Sequence, residues 1–190
     1  KVQQTPEDLS LDERPINQHW SWDRILRSCF IKQADVLQGF YFFRSHFSDA
    51  ELARHFDFYE PRTLHESSLS PCVHVVLAAH LGRLEKAYEL YLRTSRLDLD
   101  DYNREVGEGL HITSMAGTWL SITEGFGGMR VEGDTLHFKP QLPAGWETLA
   151  FRINFRGTAM EVQFGQGAPR IERLSGPPQK VVVNDTSFPV

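Results

Sequence analysis

Leu149-Ala150-Phe151-Arg152-Ile153-Asn154-Phe155-Arg156-Gly157-Thr158-Ala159-Met160-Glu161-Val162-Gln163-Phe164 alternates apolar and polar side chains with a period of two on both sides of one glycine. Successive side chains of an extended chain point to opposite faces. Leu149, Phe151, Ile153 and Phe155 therefore share one face, as do Met160, Val162 and Phe164. Gly157 supplies the turn, and the stretch predicts a half-buried β-hairpin. TLHFKPQLP (135–143) and KVVVN (180–184) predict further strands on the same grounds.

Upstream of Gly125-Phe126-Gly127-Gly128 the period is helical. Ile25, Leu26, Cys29 and Phe30, then Val36, Leu37, Phe40, Tyr41 and Phe43, recur at intervals of three or four and predict one long or two abutting helices. Ser48 with Glu51 forms a capping-box pattern ahead of ELARHFDFY, a short helix that should stop before Pro61. Ser70-Pro71 opens VHVVLAAHL, with Ser70 as a helix cap and Gly82 as the terminating residue. RLEKAYELYLRTSRL predicts an antiparallel partner, and a last helix covers about 112–124. The chain thus divides into an extended segment over 1–20, a helical part over 21–127 and a small antiparallel β-sheet domain over 128–190, an α+β organisation.

With 190 residues, 41% of them hydrophobic, the chain can bury a substantial core. Its formal charge of −5 is spread without blocks of one sign, which argues against a nucleic-acid surface and an anionic membrane. No apolar run approaches the roughly 18 residues of a membrane span. Cys29 and Cys72 have no zinc or redox spacing and read as buried free thiols. Eight histidines without a ligand motif predict no metal site.

Three polar clusters interrupt the apolar pattern. TLHESSLSP (63–71) places Ser67 and Ser68 before a helix start, where backbone N–H groups and the helix dipole suit an anion, although solvated serine loops are common. GEGLHITSMAGTW (107–119) repeats the loop-to-helix arrangement with His111 ahead of Thr113 and Ser114; such a histidine serves either structure or an anion. Lys32-Gln33 sits inside an apolar helical pattern, so the lysine must reach solvent or a paired site. Two acidic groupings offer proton chemistry, Glu60 with Glu66, and Asp98 with Asp100 and Asp101. The second reads as a solvated loop.

IKQADVLQGFYFF, FYEPRTLHESSLSP and EGLHITSMAGTWL resemble the later half of glycoside hydrolase family 65, the maltose, kojibiose and trehalose phosphorylases. The resemblance runs from about Ile31 to Phe164. It implies late helices of an (α/α)6 barrel followed by a C-terminal β-sheet domain. It also implies that Lys32 and Gln33 contact the glucosyl unit, that Glu60 reaches the acceptor sugar, and that Ser67, Ser68 and His111 bind phosphate. The general-acid glutamate of the family would precede Lys1, so no catalytic acid is expected in this chain. Glu66 departs from the aspartate frequent at its position. It or Glu60 would be the base if water were the nucleophile.

The expected activity is that of an inverting phosphorylase of an α-linked glucose disaccharide, with inorganic phosphate as co-substrate and no cofactor. The 190 residues alone are expected to be inactive. Expected partners are the disaccharide, phosphate and the remaining N-terminal part of the enzyme, with no nucleic acid or membrane and with a homodimer of the full-length enzyme left open. A phosphorylase favours the cytoplasm. The alternatives are a hydrolase of the same family and a non-catalytic carbohydrate-binding module. A half barrel would expose a broad apolar face, whereas an independent module would be polar all round.

Overall fold

The computed structural model describes residues 8–102 and 104–190, and the chain passes from helices to sheets at the glycine cluster. The α-helices are α1 (Ile16–His19), α2 (Trp22–Arg27), α3 (Asp35–Phe42), α4 (Asp49–Tyr59), α5 (Ser70–His80), α6 (Leu84–Ser95), α7 (Leu97–Asp100) and α8 (Ile112–Leu120). Residues 1–7 of the expected extended segment lie outside the described residues. Residues 8–20 do not form one extended run, because a 3-10 turn at Leu11–Glu13 and then α1 interrupt them. One turn of helix brings Ile16 and Trp20 to the same side, where they bury with Leu9 against Leu64.

The apolar pattern across Lys32-Gln33 does not form one helix. Residues 28–34 separate α2 from α3, because Ile31 pairs with Thr63 in an isolated parallel bridge. Helix α4 begins with the predicted capping box: Glu51 N–H donates to Ser48 Oγ at 3.3 Å, and Ser48 N–H donates to Glu51 Oε2 at 2.9 Å. Such a cap contributes about 1 kcal/mol.

Helix α5 is buried from Ser70 through Ala79 and packs against α3, α4, α6 and α8. VHVVLAAHL has no polar stripe because this helix has no solvent face. Its C-terminus closes with Arg83 N–H on Ala78 O at 2.8 Å and Gly82 N–H on Ala79 O at 3.0 Å, with Gly82 at φ +72. That is a Schellman motif, and it turns the chain directly into α6. Ser70 does not cap the helix as expected. It is the first helical residue, and its hydroxyl lies 2.7 Å from His65 Nδ1, a buried ring nitrogen that needs a partner.

Small residues on α8 allow a close approach to α5. A Cβ at Gly117 would sit 2.9 Å from Cys72 Cβ, while Ser114 and Ser121 are buried on the same side. The helix ends in a π-helical turn, Ser121–Phe126. Cys72 is buried and donates to Leu69 O at 3.1 Å; Cys29 is only half-buried, so the expectation of two buried thiols holds for one.

The strands are β1 (Arg130–Glu132), β2 (Thr135–Phe138), β3 (Thr148–Phe155), β4 (Thr158–Gly165), β5 (Arg170–Ser175), β6 (Lys180–Val183) and β7 (Thr186–Pro189). β3 and β4 form the predicted hairpin, with Leu149 opposite Phe164, Phe151 opposite Val162 and Ile153 opposite Met160. β5 completes an antiparallel three-stranded sheet. The second sheet has the order β1-β2-β6-β7, and in it β2 and β6 run parallel. This parallel pair is an addition to the antiparallel pattern, made by a connection that carries the whole first sheet between its strands. The inner faces meet through Phe138, which lies 5.2 Å from Phe164 and 6.2 Å from Phe151 between ring centroids.

One core runs through helices and sheets. Phe126 is fully buried between the rings of Tyr91 and Trp146, and Trp119 of α8 meets Phe151 edge-on. The joint is sealed at Gly128, which has φ +60 and approaches the Lys139 backbone so closely that a Cβ would collide with the Lys139 carbonyl. Gly133 has a similar φ of +58 with nothing near its Cβ position. Gly133→Ala should therefore lose only the left-handed backbone cost of about 1–2 kcal/mol. Gly128→Ala should lose clearly more, because backbone must also move. Urea midpoints of the two variants check this, and equal losses would contradict the tight joint.

Candidate functional site

The site begins with backbone pairing between segments 31 to 34 residues apart in sequence. Ile31 N–H donates to Arg62 O at 2.9 Å, Leu64 N–H to Ile31 O at 2.8 Å, and Glu66 N–H to Lys32 O at 3.0 Å. These three bonds place Lys32 and Gln33 beside the start of HESS. Lys32 is exposed and its charge acts on Glu66; the Gln33 amide donates to Asp35 Oδ1 at 2.8 Å.

Beyond the pairing the chain reverses. His65 takes a left-handed conformation, φ 54, while its ring is buried against His74 and bonded to Ser70. Arg93 of α6 donates from Nη2 to the carbonyls of Leu64 at 3.0 Å and His65 at 3.1 Å. The turn is thus tied at both ends, with Ser70 N–H on Ser67 O at 3.0 Å. Ser67 and Ser68 lie at its partly exposed tip. The Ser68 hydroxyl is 2.7 Å from that of Thr113, in the first turn of α8, two residues after His111.

His111 is gripped by Asp98, whose Oδ1 lies 2.5 Å from Nδ1 and whose Oδ2 accepts the His111 backbone N–H at 3.0 Å. The His111 side-chain bond is the largest cause holding the Asp98 carboxyl below its usual range. Asp98 is therefore not a residue of a solvated loop, contrary to the expectation from LDLDD. Nε2 of His111 lies 3.7 Å from Glu105 Oε2.

Glu66 turns away from the two serines. Its Oε1 accepts the Ile16 N–H at 2.9 Å, at the start of α1, and its Oε2 is buried without a hydrogen-bond partner. It borders a cavity of about 150 Å³ shared with Arg14, Arg93, Tyr102, Arg104 and Glu105. Burial pushes its carboxyl up, opposed by the Ile16 N–H and by Lys32 and Arg14. Glu60 faces elsewhere, behind the turn, with Lys86 Nζ 3.6 Å from its Oε1. Glu60, His65 and His74 each bring one ligand atom within 4.8 Å of the others, a grouping that could share a metal ion and that the histidine spacing did not disclose. The Lys86 ammonium already balances the Glu60 charge there.

The structure thus brings Lys32, Glu66, Ser67 and Ser68 into one region and sets Ser68 against the start of α8, beside His111. Glu60 stands apart from them on the far side of His65. Arg93 and Glu105 were not singled out by sequence, Asp98 was read as part of a solvated loop, and Thr113 was named only as part of a helix start. Only contacts across 13 to 45 residues reveal Asp98 and Thr113.

Comparison with known proteins bears on this arrangement. Residues 2–120 match the central catalytic domain of glycosyl hydrolase family 65, and residues 129–190 match the C-terminal domain of the same family. Maltose phosphorylase of Bacillus subtilis (strain 168) is 54% identical over 175 residues, which cover 92% of this chain and 23% of that protein. Alpha,alpha-trehalose phosphorylase of Thermoanaerobacter brockii is 40% identical over 181 residues, 95% of this chain and 23% of that protein. A solved structure titled "Putative kojibiose phosphorylase from human microbiome" superposes with a TM-score of 0.87 at 36% identity, over 97% of this chain and 27% of that one. The chain spans about a quarter of the length of the relatives it matches.

The histidines behind the turn set an acid limit on the fold. His74 is fully buried with both ring nitrogens unpartnered, and burial pushes it down to about 3; His65 moves the same way, by burial first and then the charges of His74 and Arg93. In the unfolded chain both take protons near pH ~6.5, so folding is opposed as the pH falls below that value. Each histidine then contributes a slope of up to about 1.4 kcal/mol per pH unit, with stability lost on acidification and fully present above pH ~6.5. His74→Leu should flatten the stability profile between about pH 6 and pH 5 by close to one proton. Urea unfolding across that window reads it, and an unchanged slope would contradict a neutral buried ring.

Proposed function

The chain belongs to glycosyl hydrolase family 65, and from that premise we propose that it supplies the phosphate seat and part of the sugar site of an α-glucoside phosphorylase. The rest of the enzyme, including the general acid, lies in residues outside this chain. In the reaction, a phosphate oxygen attacks the anomeric carbon opposite the leaving oxygen and the glycosidic C–O bond breaks. The acid protonates the leaving sugar, and β-glucose 1-phosphate and glucose are released. No helix among the described residues is long and apolar enough to cross a membrane.

The observation that carries this reading is the tied turn with Ser67 and Ser68 at its tip, flanked by exposed Lys32 and by the start of α8. Preorganised donors of this kind act by holding the nucleophile in line and need not rearrange during reaction. The orientation of Glu66 supports phosphate over water. Its Oε1 accepts the Ile16 N–H and its side chain lines the cavity with Arg14 and Arg93, which takes a base away from any water held at the serines.

An incomplete barrel is supported by α8 itself. Ile112, Met115 and Trp119 fall on one stripe of the helix at 65%, 48% and 49% exposure. Leu26 and Trp22 on α2 are more exposed still, at 80% and 73%. Exposed apolar side chains lined up in this way mark a surface that another segment or a ligand covers, and the remaining barrel helices would supply that cover.

Two measurements follow from this proposal. In the intact enzyme that carries this chain, disaccharide cleavage should require phosphate and yield β-glucose 1-phosphate. Ser67→Ala together with Ser68→Ala should cut kcat/KM for phosphate by roughly a hundredfold. Phosphate-independent release of glucose alone would establish hydrolysis instead. The purified 190-residue chain should cleave neither maltose, kojibiose nor trehalose; turnover by it would place an acid within these residues.

A further inference from the structure

We propose that Asp98 is a positioning residue of the anion seat, acting through His111 to present one ring nitrogen to inorganic phosphate. This rests on the reading of His111 as a phosphate ligand. Asp98 sits on α7, a single helical turn that leads toward the loop before α8. Its two carboxylate oxygens take two different groups of the same residue, the ring at 2.5 Å and the backbone N–H at 3.0 Å. Both side chains are largely shielded, with 20% exposure for His111 and 18% for Asp98.

The chemistry of this grip fixes the ring. An ionised carboxylate only accepts hydrogen bonds, and so does an ionised phosphate oxygen, so a ring that bridges them must donate from both nitrogens, Nδ1–H to Asp98 and Nε2–H to phosphate. The backbone bond removes the freedom of the residue that begins α8, whose own side chain makes no cap. Ser68 meets the same first turn through Thr113, so one helix start registers both the serine and the histidine. The charged group facing Nε2 is Glu105, at 3.7 Å, too far for a hydrogen bond, and phosphate would have to take its place there.

An asparagine at 98 would break this arrangement without changing the shape. Its single oxygen would be taken by the His111 backbone N–H, turning the amide nitrogen toward Nδ1. That nitrogen donates, so Nδ1 must accept and the ring can meet phosphate only as a neutral Nε2–H donor, without the positive charge of the doubly protonated ring. Affinity for phosphate should fall while sugar binding stays.

The test measures KM for phosphate and KM for the disaccharide in the intact enzyme, for His111→Gln, Asp98→Asn and the double variant. Asp98→Asn is expected to raise KM for phosphate about tenfold, the scale of one charge-assisted hydrogen bond, and to leave KM for the disaccharide within about twofold. In the His111→Gln background it should add nothing, because its effect passes through the ring. Equal rises in both KM values, or additive effects in the double variant, would overturn the proposal and leave Asp98 a structural residue. If His111→Gln raises KM for phosphate and Asp98→Asn does not, the proposal fails while the phosphate seat stands. If His111→Gln itself has no effect, the reading of the seat falls with it. Should Asp98→Asn fail to fold, Asp98→Glu, which keeps the charge at a different reach, is judged by the same comparison.

Discussion

Three backbone hydrogen bonds between residues 31–32 and 62–66 hold the site together. They are a fragment of parallel strand inside a helical region. Without them Lys32 would belong to a continuous helix, and HESS would be a loop free to choose its own conformation. The pairing fixes the direction in which the chain enters His65. The left-handed turn there throws Ser67 and Ser68 outward while the His65 ring goes inward to Ser70 and His74. Arg93, reaching from α6 to two successive carbonyls, makes the turn rigid.

The packing around this turn serves rigidity too. Helix α5 is surrounded by other helices, so the turn that feeds it cannot shift without disturbing the core. The close approach of α8, permitted by Gly117, brings Thr113 to Ser68. The β-sandwich buttresses the other end of the same helices through Phe126, Trp119 and Phe151, which gives the C-terminal domain a supporting part in the geometry.

Local features were legible in the sequence because they depend on neighbours along the chain. The β3–β4 hairpin, the capping box at Ser48 and Glu51, and the Gly82 stop all follow from side-chain period or backbone requirement alone. The features missed depend on distant partners. Ile31 looks helical until Thr63 arrives beside it, Ser70 looks like a cap until the buried His65 ring claims its hydroxyl, and Asp98 looks solvated until His111 closes on it. For the proposed anion seat, composition and spacing offered a serine turn before a helix. The proposed roles of Lys32, Ser67, Ser68 and His111 came from family resemblance, and the contact of Thr113 with Ser68 from the fold.

Whether the tied serine turn seats phosphate is decided by a crystal structure of the intact enzyme grown with phosphate. The account predicts a tetrahedral anion within about 3 Å of Ser67 Oγ, Ser68 Oγ and His111 Nε2, with Glu66 still on the Ile16 N–H. Phosphate bound elsewhere, with Ser67 and Ser68 bonded only to sugar or protein, would contradict it.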